Sequence, residues 1–405
     1  MVVDTSGNYV SLAERLAREY ATVYYCIPSW VDSYPNPNKT LIGVGIEGIT
    51  VVENPFDVYD EIDFWVFPDT YYGPFQEFLR AQGEITWGSG AAEELELYRH
   101  YVKEEMKKLG LPVGKYELVQ GMTNLRLYLQ KHEGVWVKVN KWRGLIETFF
   151  SETYELVKPQ LDDIEFNKGI DAELIEFVCE DPIDGREMGY DGYAMDDKYP
   201  EEWLSGLEVK DKAYAGQWRR YSELPKTMTE FCERFRPTFK EYGYRGFFSL
   251  ENRITPKGVS FMTDFTARTP CPPGSLIMEI VKNLGEVMWA AANGEMVPAK
   301  PVARFGVELL IESSWAVCHS CAVYYPKEAA QLVKLKKHMV KDGVPTIVPI
   351  AYGTSDIGSV VGVGDSIVEA RKDVEHVAKM LKGTEISIHM EALDNAEEAL
   401  MEAFK

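Results

Sequence analysis

The chain has 405 residues, with 43 Lys and Arg against 64 Asp and Glu, a formal net charge of −21. That acidity argues against general binding to nucleic-acid polymers or anionic membranes, which need the opposite field, but leaves room for a local basic pocket. At 45% hydrophobic and 26% charged residues, the composition is that of a globular protein with two to four domains. No apolar run is long enough to span a membrane, residues 1–20 lack a signal-peptide core, and six cysteines read as reduced thiols, so the expected compartment is the cytoplasm.

In chain order, residues 1–90 predict a parallel α/β domain: a helix at 11–20, strands at 21–27 and 62–68, a helix at 74–82 and a strand at 84–87. Gly43, Gly45 and Gly48 spell GxGxxG. The β-branched run after Gly48 predicts a strand, however, and a dinucleotide loop must open a helix. One helix is expected over 91–109, stopped by Gly110 and Pro112. Strands at 116–119 and 134–139 flank a helix at 124–130, and strands at 174–179 and 187–194 follow. A helix runs from 226 to 242. The turn Thr255-Pro256-Lys257-Gly258 joins strands 246–254 and 258–265 as a hairpin. One helix is expected over 275–293. The remainder mixes strands at 306–311 and 357–363 with helices at 327–340 and 366–381. Cys318 and Cys321 lack the second ligand pair that a structural zinc site needs.

Four separated pieces suit a magnesium nucleotide. Arg99 and Lys103 are four apart, on one helix face. Lys138 ends an apolar strand, where a buried stem leaves its tip to find an anion. The basic loop Asn140-Lys141-Trp142-Arg143-Gly144 can fold over phosphates. The run Glu180-Asp181-Pro182-Ile183-Asp184-Gly185-Arg186-Glu187 can read an adenine with its backbone and a ribose with a carboxylate. On the hairpin, Glu251 and Arg253 share one face, as do Asp264, Thr266 and Arg268. Two carboxylates facing together suit Mg²⁺, and the arginines suit phosphate charge. Taken singly, Arg99 with Lys103 also fits a solvated helix face, and Glu251–Arg253 and Asp264–Arg268 fit cross-strand ion pairs.

In combination and order the pieces resemble the ATP-grasp superfamily, and within it phosphoribosylamine–glycine ligase (glycinamide ribonucleotide synthetase). The segments that carry the likeness are Arg99 to Pro112, Val135 to Lys138, Glu180 to Glu187, Tyr244 to Gly258 and Gly358 to Arg371. The resemblance implies an α+β, α/β chain with three parts. These are an N-terminal α/β domain (1–90), an ATP-grasp domain (91–300, with a lid at about 113–185) and a small C-terminal α/β domain (301–405).

It further implies that Arg99 and Lys138 bind ATP phosphates, that Glu180, Asp181, Pro182 and Ile183 hold the adenine, and that Glu187 holds the ribose. Glu251 and Asp264 would bind Mg²⁺, with Mn²⁺ as the alternative metal. Arg268 would steady the transferring group, with Arg253 and Arg143 beside it. The implied activity is an ATP-dependent carboxylate–amine ligase working through an acyl phosphate on small-molecule substrates, with a homodimer as the default assembly. The alternative is a non-catalytic nucleotide-binding regulatory or assembly protein on the same scaffold.

Two loops depart from the family. Thr266-Ala267-Arg268-Thr269-Pro270-Cys271-Pro272-Pro273 replaces Asn-x-Arg-x-Gly-Asp-Pro-Glu, and Thr5-Ser6-Gly7-Asn8 replaces Gly-Gly-Arg-Glu-His. The implied ATP half therefore carries over better than the acceptor half.

Overall fold

The structure, a computed structural model, describes residues 1–30, 36–141, 148–350 and 354–404. Near the N-terminus, five short strands form a parallel sheet in the order Ile49–Val51, Val23–Cys26, Val2–Val3, Trp65–Val66, Thr86–Trp87. The near-continuous burial of the other four strands, with Ile49–Val51 at the open edge, is what a parallel sheet covered on both faces requires. Gly43, Gly45 and Gly48 all have positive φ and lead into the Ile49–Val51 strand, not a helix. They are turn residues, as the β-branched run predicts. At Gly45 a Cβ would also stand 2.4 Å from the Val340 carbonyl oxygen.

The next unit is a four-stranded antiparallel sheet in the order Tyr116–Gln120, Glu176–Glu180, Val135–Val139, Thr148–Ser151. The helices Met122–Leu129 and Tyr154–Lys168 cover one face, burying Leu125 and Leu161 against Val137 and Phe177. The opposite face carries Lys138 and Glu180.

A second antiparallel sheet, Arg186–Met195, Arg245–Ile254 and Ser260–Thr266, is backed by the helix Lys226–Glu241. Pro237 lies inside that helix and costs it about 3 kcal/mol. Phe231, Phe235 and Phe239, one turn apart and fully buried, each return about 1.5–3 kcal/mol, so packing outweighs the proline.

A larger antiparallel sheet joins Glu202–Val209, Ala213–Arg220, Phe305–Ser313, Asp356–Gly364 and Val333–Leu335, with Ile386–Ser387 paired to Phe305–Ser313, and a small one joins Cys321–Ala322, Val344–Ile347 and His338–Lys341. The helix Ile367–Met380 packs on the larger sheet, started by the Ser366 hydroxyl accepting from the Glu369 amide.

Three expectations are corrected. The helix expected over 91–109 is broken into the 3-10 turn Gly90–Glu93 and the helices Glu94–Leu97 and Arg99–Lys108. Tyr98 leaves helical geometry at φ −107°, ψ 84°. The helix expected over 275–293 is two, Gly274–Ile280 and Leu284–Ala292, because Val281 turns extended and bridges to Pro301. The helix expected over 327–340 is a 3-10 turn followed by the strands Val333–Leu335 and His338–Lys341. There the edge of Asp356–Gly364 offers Val333 and Leu335 partners, and tertiary pairing overrides local preference. The helix Tyr154–Lys168, with Pro159 in its first turns, and the hairpin at 202–220 are elements that the sequence reading lacks.

Candidate active site

The hairpin sets the floor of a cleft. Glu251 and Asp264 are direct cross-strand partners, with Ser249 opposite Thr266 beside them. On the neighbouring strand Glu187, Gly189 and Asp191 stand opposite Arg253, Glu251 and Ser249. With a side-chain period of two, all of these face one way. Glu187, Asp191, Glu251, Asp264 and Arg268 line a cavity of about 240 Å³.

The cations meet these carboxylates from two elements. Arg99, at the first position of its helix, lies 2.9 and 3.2 Å from the two carboxylate oxygens of Asp264. Lys103, one turn on and buried, lies 3.0 Å from Glu180 Oε1. Lys138 approaches the same oxygen at 3.6 Å and also donates to the Thr263 carbonyl. Burial lowers the Lys103 pKa, and the Glu180 charge works against that. Three cations from one helix and one strand thus converge on Glu180 and Asp264.

Arg268 is held from behind. Its Nε donates to Glu96 Oε1 at 3.1 Å and its Nη1 to the Tyr9 hydroxyl at 3.2 Å. Glu96, 3% exposed, also accepts from the Ala267 amide at 2.7 Å. Arg253 lies in the row but pairs with Glu187 at 2.8 Å near the mouth and does not line the cavity. Glu180 ends its strand. Asp181 follows it, exposed, 3.3 Å from Lys115, with its amide on the Lys115 carbonyl. Pro182 and Ile183 continue the connection to Glu187. Arg143 lies outside the described residues.

The far wall comes from the hairpin at 202–220, whose turn puts Glu208, Lys210 and Asp211 on the cavity. Sequence reasoning misses these residues, although the polar run Val209-Lys210-Asp211-Lys212 between two strand-like stretches is a turn signal. It also misses Asp191, which the two-residue period from Glu187 could have found. The departing loop contributes Cys271, whose thiol accepts from Lys336 Nζ at 3.0 Å. Lys336 in turn pairs with Asp356.

Burial, and then the charge of Asp264, pushes Glu251 up to about 7. Burial does the same for Asp191 and Glu208, each to about 7. Lys210 is raised, because Glu208 and Glu251 outweigh its own burial. Two facing carboxylates, one holding its proton against the other's charge, form a donor set that a divalent cation would relieve. Among the described residues, no group of three or more His, Cys, Asp or Glu is placed to hold a metal unaided. The pair therefore suits Mg²⁺, which takes one or two carboxylates and completes its shell with phosphate oxygens and water.

A stability prediction follows. The native state holds these three protons more tightly than the unfolded chain, whose carboxyls titrate near about 4. Their contribution is therefore fully present below about pH 4 and is lost as pH rises to about 7. Mg²⁺ should raise the melting temperature more at about pH 8 than at about pH 5.5, because protons compete with it below about 7. A shift that is larger in acid, by thermal denaturation, would contradict the pairing.

No protein-family model matches the chain. Comparison with solved structures shows that it has the ATP-grasp fold. It is similar over nearly its whole length to phosphoribosylamine–glycine ligase from Thermotoga maritima, at 17% identity and a TM-score of 0.69, covering 95% of this chain and 97% of that one. It is similar also to the biotin carboxylase domain dimer of 2-oxoglutarate carboxylase from Hydrogenobacter thermophilus, solved with MgADP, ADP and bicarbonate (11% identity, TM-score 0.67, 100% and 95% covered). A third similar structure is biotin carboxylase from Campylobacter jejuni in a β,γ-ATP complex (14% identity, TM-score 0.64, 98% and 94% covered). No described helix is long and apolar enough to cross a membrane.

Proposed function

We propose that the protein is an ATP- and Mg²⁺-dependent ligase joining a small carboxylic acid to an amine through an acyl phosphate. The observation that carries this reading is the placement of Arg99 against Asp264, and of Lys103 and Lys138 against Glu180, with Asp264 paired to Glu251 on the cavity floor, on a fold whose solved examples include ATP and MgADP complexes. Arg99 and Lys138 would hold phosphate oxygens, Glu180 to Ile183 the adenine, and Glu187 the ribose. Glu251 and Asp264 would hold Mg²⁺, whose bound charge offsets that of the reacting phosphates.

In this reading the substrate carboxylate attacks the γ-phosphorus and ADP leaves. Arg268 then stabilises the charge on the acyl phosphate, the amine attacks the acyl carbon, and phosphate departs. The protein's own share is positioning and fixed charge, with no covalent enzyme intermediate. Arg253 pairs with Glu187 at the edge of the cavity, and Arg143 belongs to the basic run 140–144 of the sequence; both are assigned to the substrate side. Arg99, Lys103 and Lys138 beside Asp264 and Glu180, with Mg²⁺ offsetting the carboxylates that line the cavity, would let a chain of net charge −21 bind a small polyanion. The acceptor differs from that of phosphoribosylamine–glycine ligase, because both loops on that side depart from the family. The cytoplasm is the proposed compartment and a homodimer the proposed assembly.

The test is ADP release from ATP and Mg²⁺ against pools of amino acids, amines and nucleotides. The reading expects at least one pool to give ADP well above the Asp264→Asn control. ATP binding with no pool active would favour the non-catalytic alternative.

A further inference from the structure

We infer that Asn140 is a positioning residue that sets two proposed phosphate ligands, Arg99 and Lys138, in register. The inference rests on the nucleotide reading of the cleft. Arg99 opens its helix because Tyr98 breaks the preceding one. The first amides of a helix lack partners within it. The Arg99 amide finds one 41 residues away, donating to Asn140 Oδ1 at 2.9 Å. Asn140 is 7% exposed and stands two residues beyond Lys138.

Its other side-chain atom fixes its orientation. Nδ2 donates to the Glu176 carboxylate, with His100 Nδ1 3.1 Å from Nδ2 and 3.2 Å from the same carboxylate. The reversed amide would set NH₂ against the Arg99 N–H and oxygen against a carboxylate, so only one orientation satisfies the site. Backbone contacts run alongside: the Asn140 amide to the Glu176 carbonyl at 3.0 Å, and the Lys141 amide to the Leu97 carbonyl at 2.7 Å. One amide side chain therefore ties the end of the Lys138 strand to the start of the Arg99 helix. A small displacement of a charged ligand weakens its grip on phosphate.

The experiment measures MgATP affinity of the full chain by calorimetry. Asn140→Ala should weaken binding about tenfold, the loss of one well-placed charged contact. Asn140→Asp keeps the acceptor for Arg99 but sets a carboxylate against Glu176, and should also weaken binding. Asn140→Asp with Glu176→Gln restores a donor–acceptor pair and should return affinity to within about threefold. In an Arg99→Gln background, Asn140→Ala should add less than about twofold, because a residue acting through Arg99 has nothing left to position. A merely structural role would give additive losses there.

Parental affinity in Asn140→Ala, no recovery in Asn140→Asp/Glu176→Gln, or additive losses would each overturn the inference. Should Asn140→Ala fail to fold, the comparison of Asn140→Asp with the double variant decides alone. Absence of MgATP binding by the unaltered protein would instead sink the nucleotide reading itself.

Discussion

Asp264→Asn is expected to lower ATP turnover by roughly 10³-fold, because a divalent cation clamping phosphate supplies several kcal/mol to the transition state. The amide keeps the shape of the side chain but loses its charge, so Glu251 is left as the only anion of the pair. Two opposing changes in the empty protein nearly cancel. Arg99 loses the partner it holds at 2.9 and 3.2 Å, while the repulsion that raises the Glu251 pKa disappears. The melting temperature should therefore move little as turnover collapses. Turnover within about tenfold of the parent, at a saturating metal concentration, would remove Asp264 from the metal site.

Arg268→Met is expected to lower kcat by about 10²–10³-fold, the usual loss when a fixed group aimed at developing charge is removed. The KM for ATP should change less than about threefold, since the nucleotide phosphates are assigned to Arg99 and Lys138 and Arg268 meets charge that develops later. Arg268 is fixed by Glu96 and Tyr9, so it needs little rearrangement as that charge forms. The methionine variant also takes the guanidinium from the buried Glu96 carboxylate, which keeps the Ala267 amide, and should cost about 1–3 kcal/mol of stability. Arg268→Lys controls for this. It retains a cation beside Glu96 but not the planar fork, and should recover stability more than rate. Full recovery of kcat by lysine would show that charge alone is used.

Much of the site was legible where local chemistry sets the structure. Thr255-Pro256-Lys257-Gly258 and the two-residue alternation around it specify the hairpin, and with it the partnership of Glu251 with Asp264. Lys138 is conspicuous because an apolar strand ends on a charge. What escaped depends on partners distant in sequence. The helix containing Arg99 reads as continuous from 91 to 109, and nothing local announces that Asn140 caps it after a break at Tyr98. Residues 327–340 carry helix-forming residues, yet Val333–Leu335 pairs with Asp356–Gly364. The far wall of the cavity, with Glu208, Lys210 and Asp211, comes from a hairpin that hydrogen-bonds to the Phe305–Ser313 strand. Its approach to the cleft is a property of the assembled sheets.

Hydroxylamine offers the most direct test of acyl-phosphate chemistry, because it replaces the unknown amine and captures any activated carboxylate as a hydroxamate. The protein would be incubated with ATP, Mg²⁺, hydroxylamine and pools of carboxylic acids, and ADP and hydroxamate measured together. The account predicts a pool in which the two form in equal amounts, and in which both vanish with Asp264→Asn. ADP released without hydroxamate in every pool, or no carboxylate-dependent ADP at all, would contradict it.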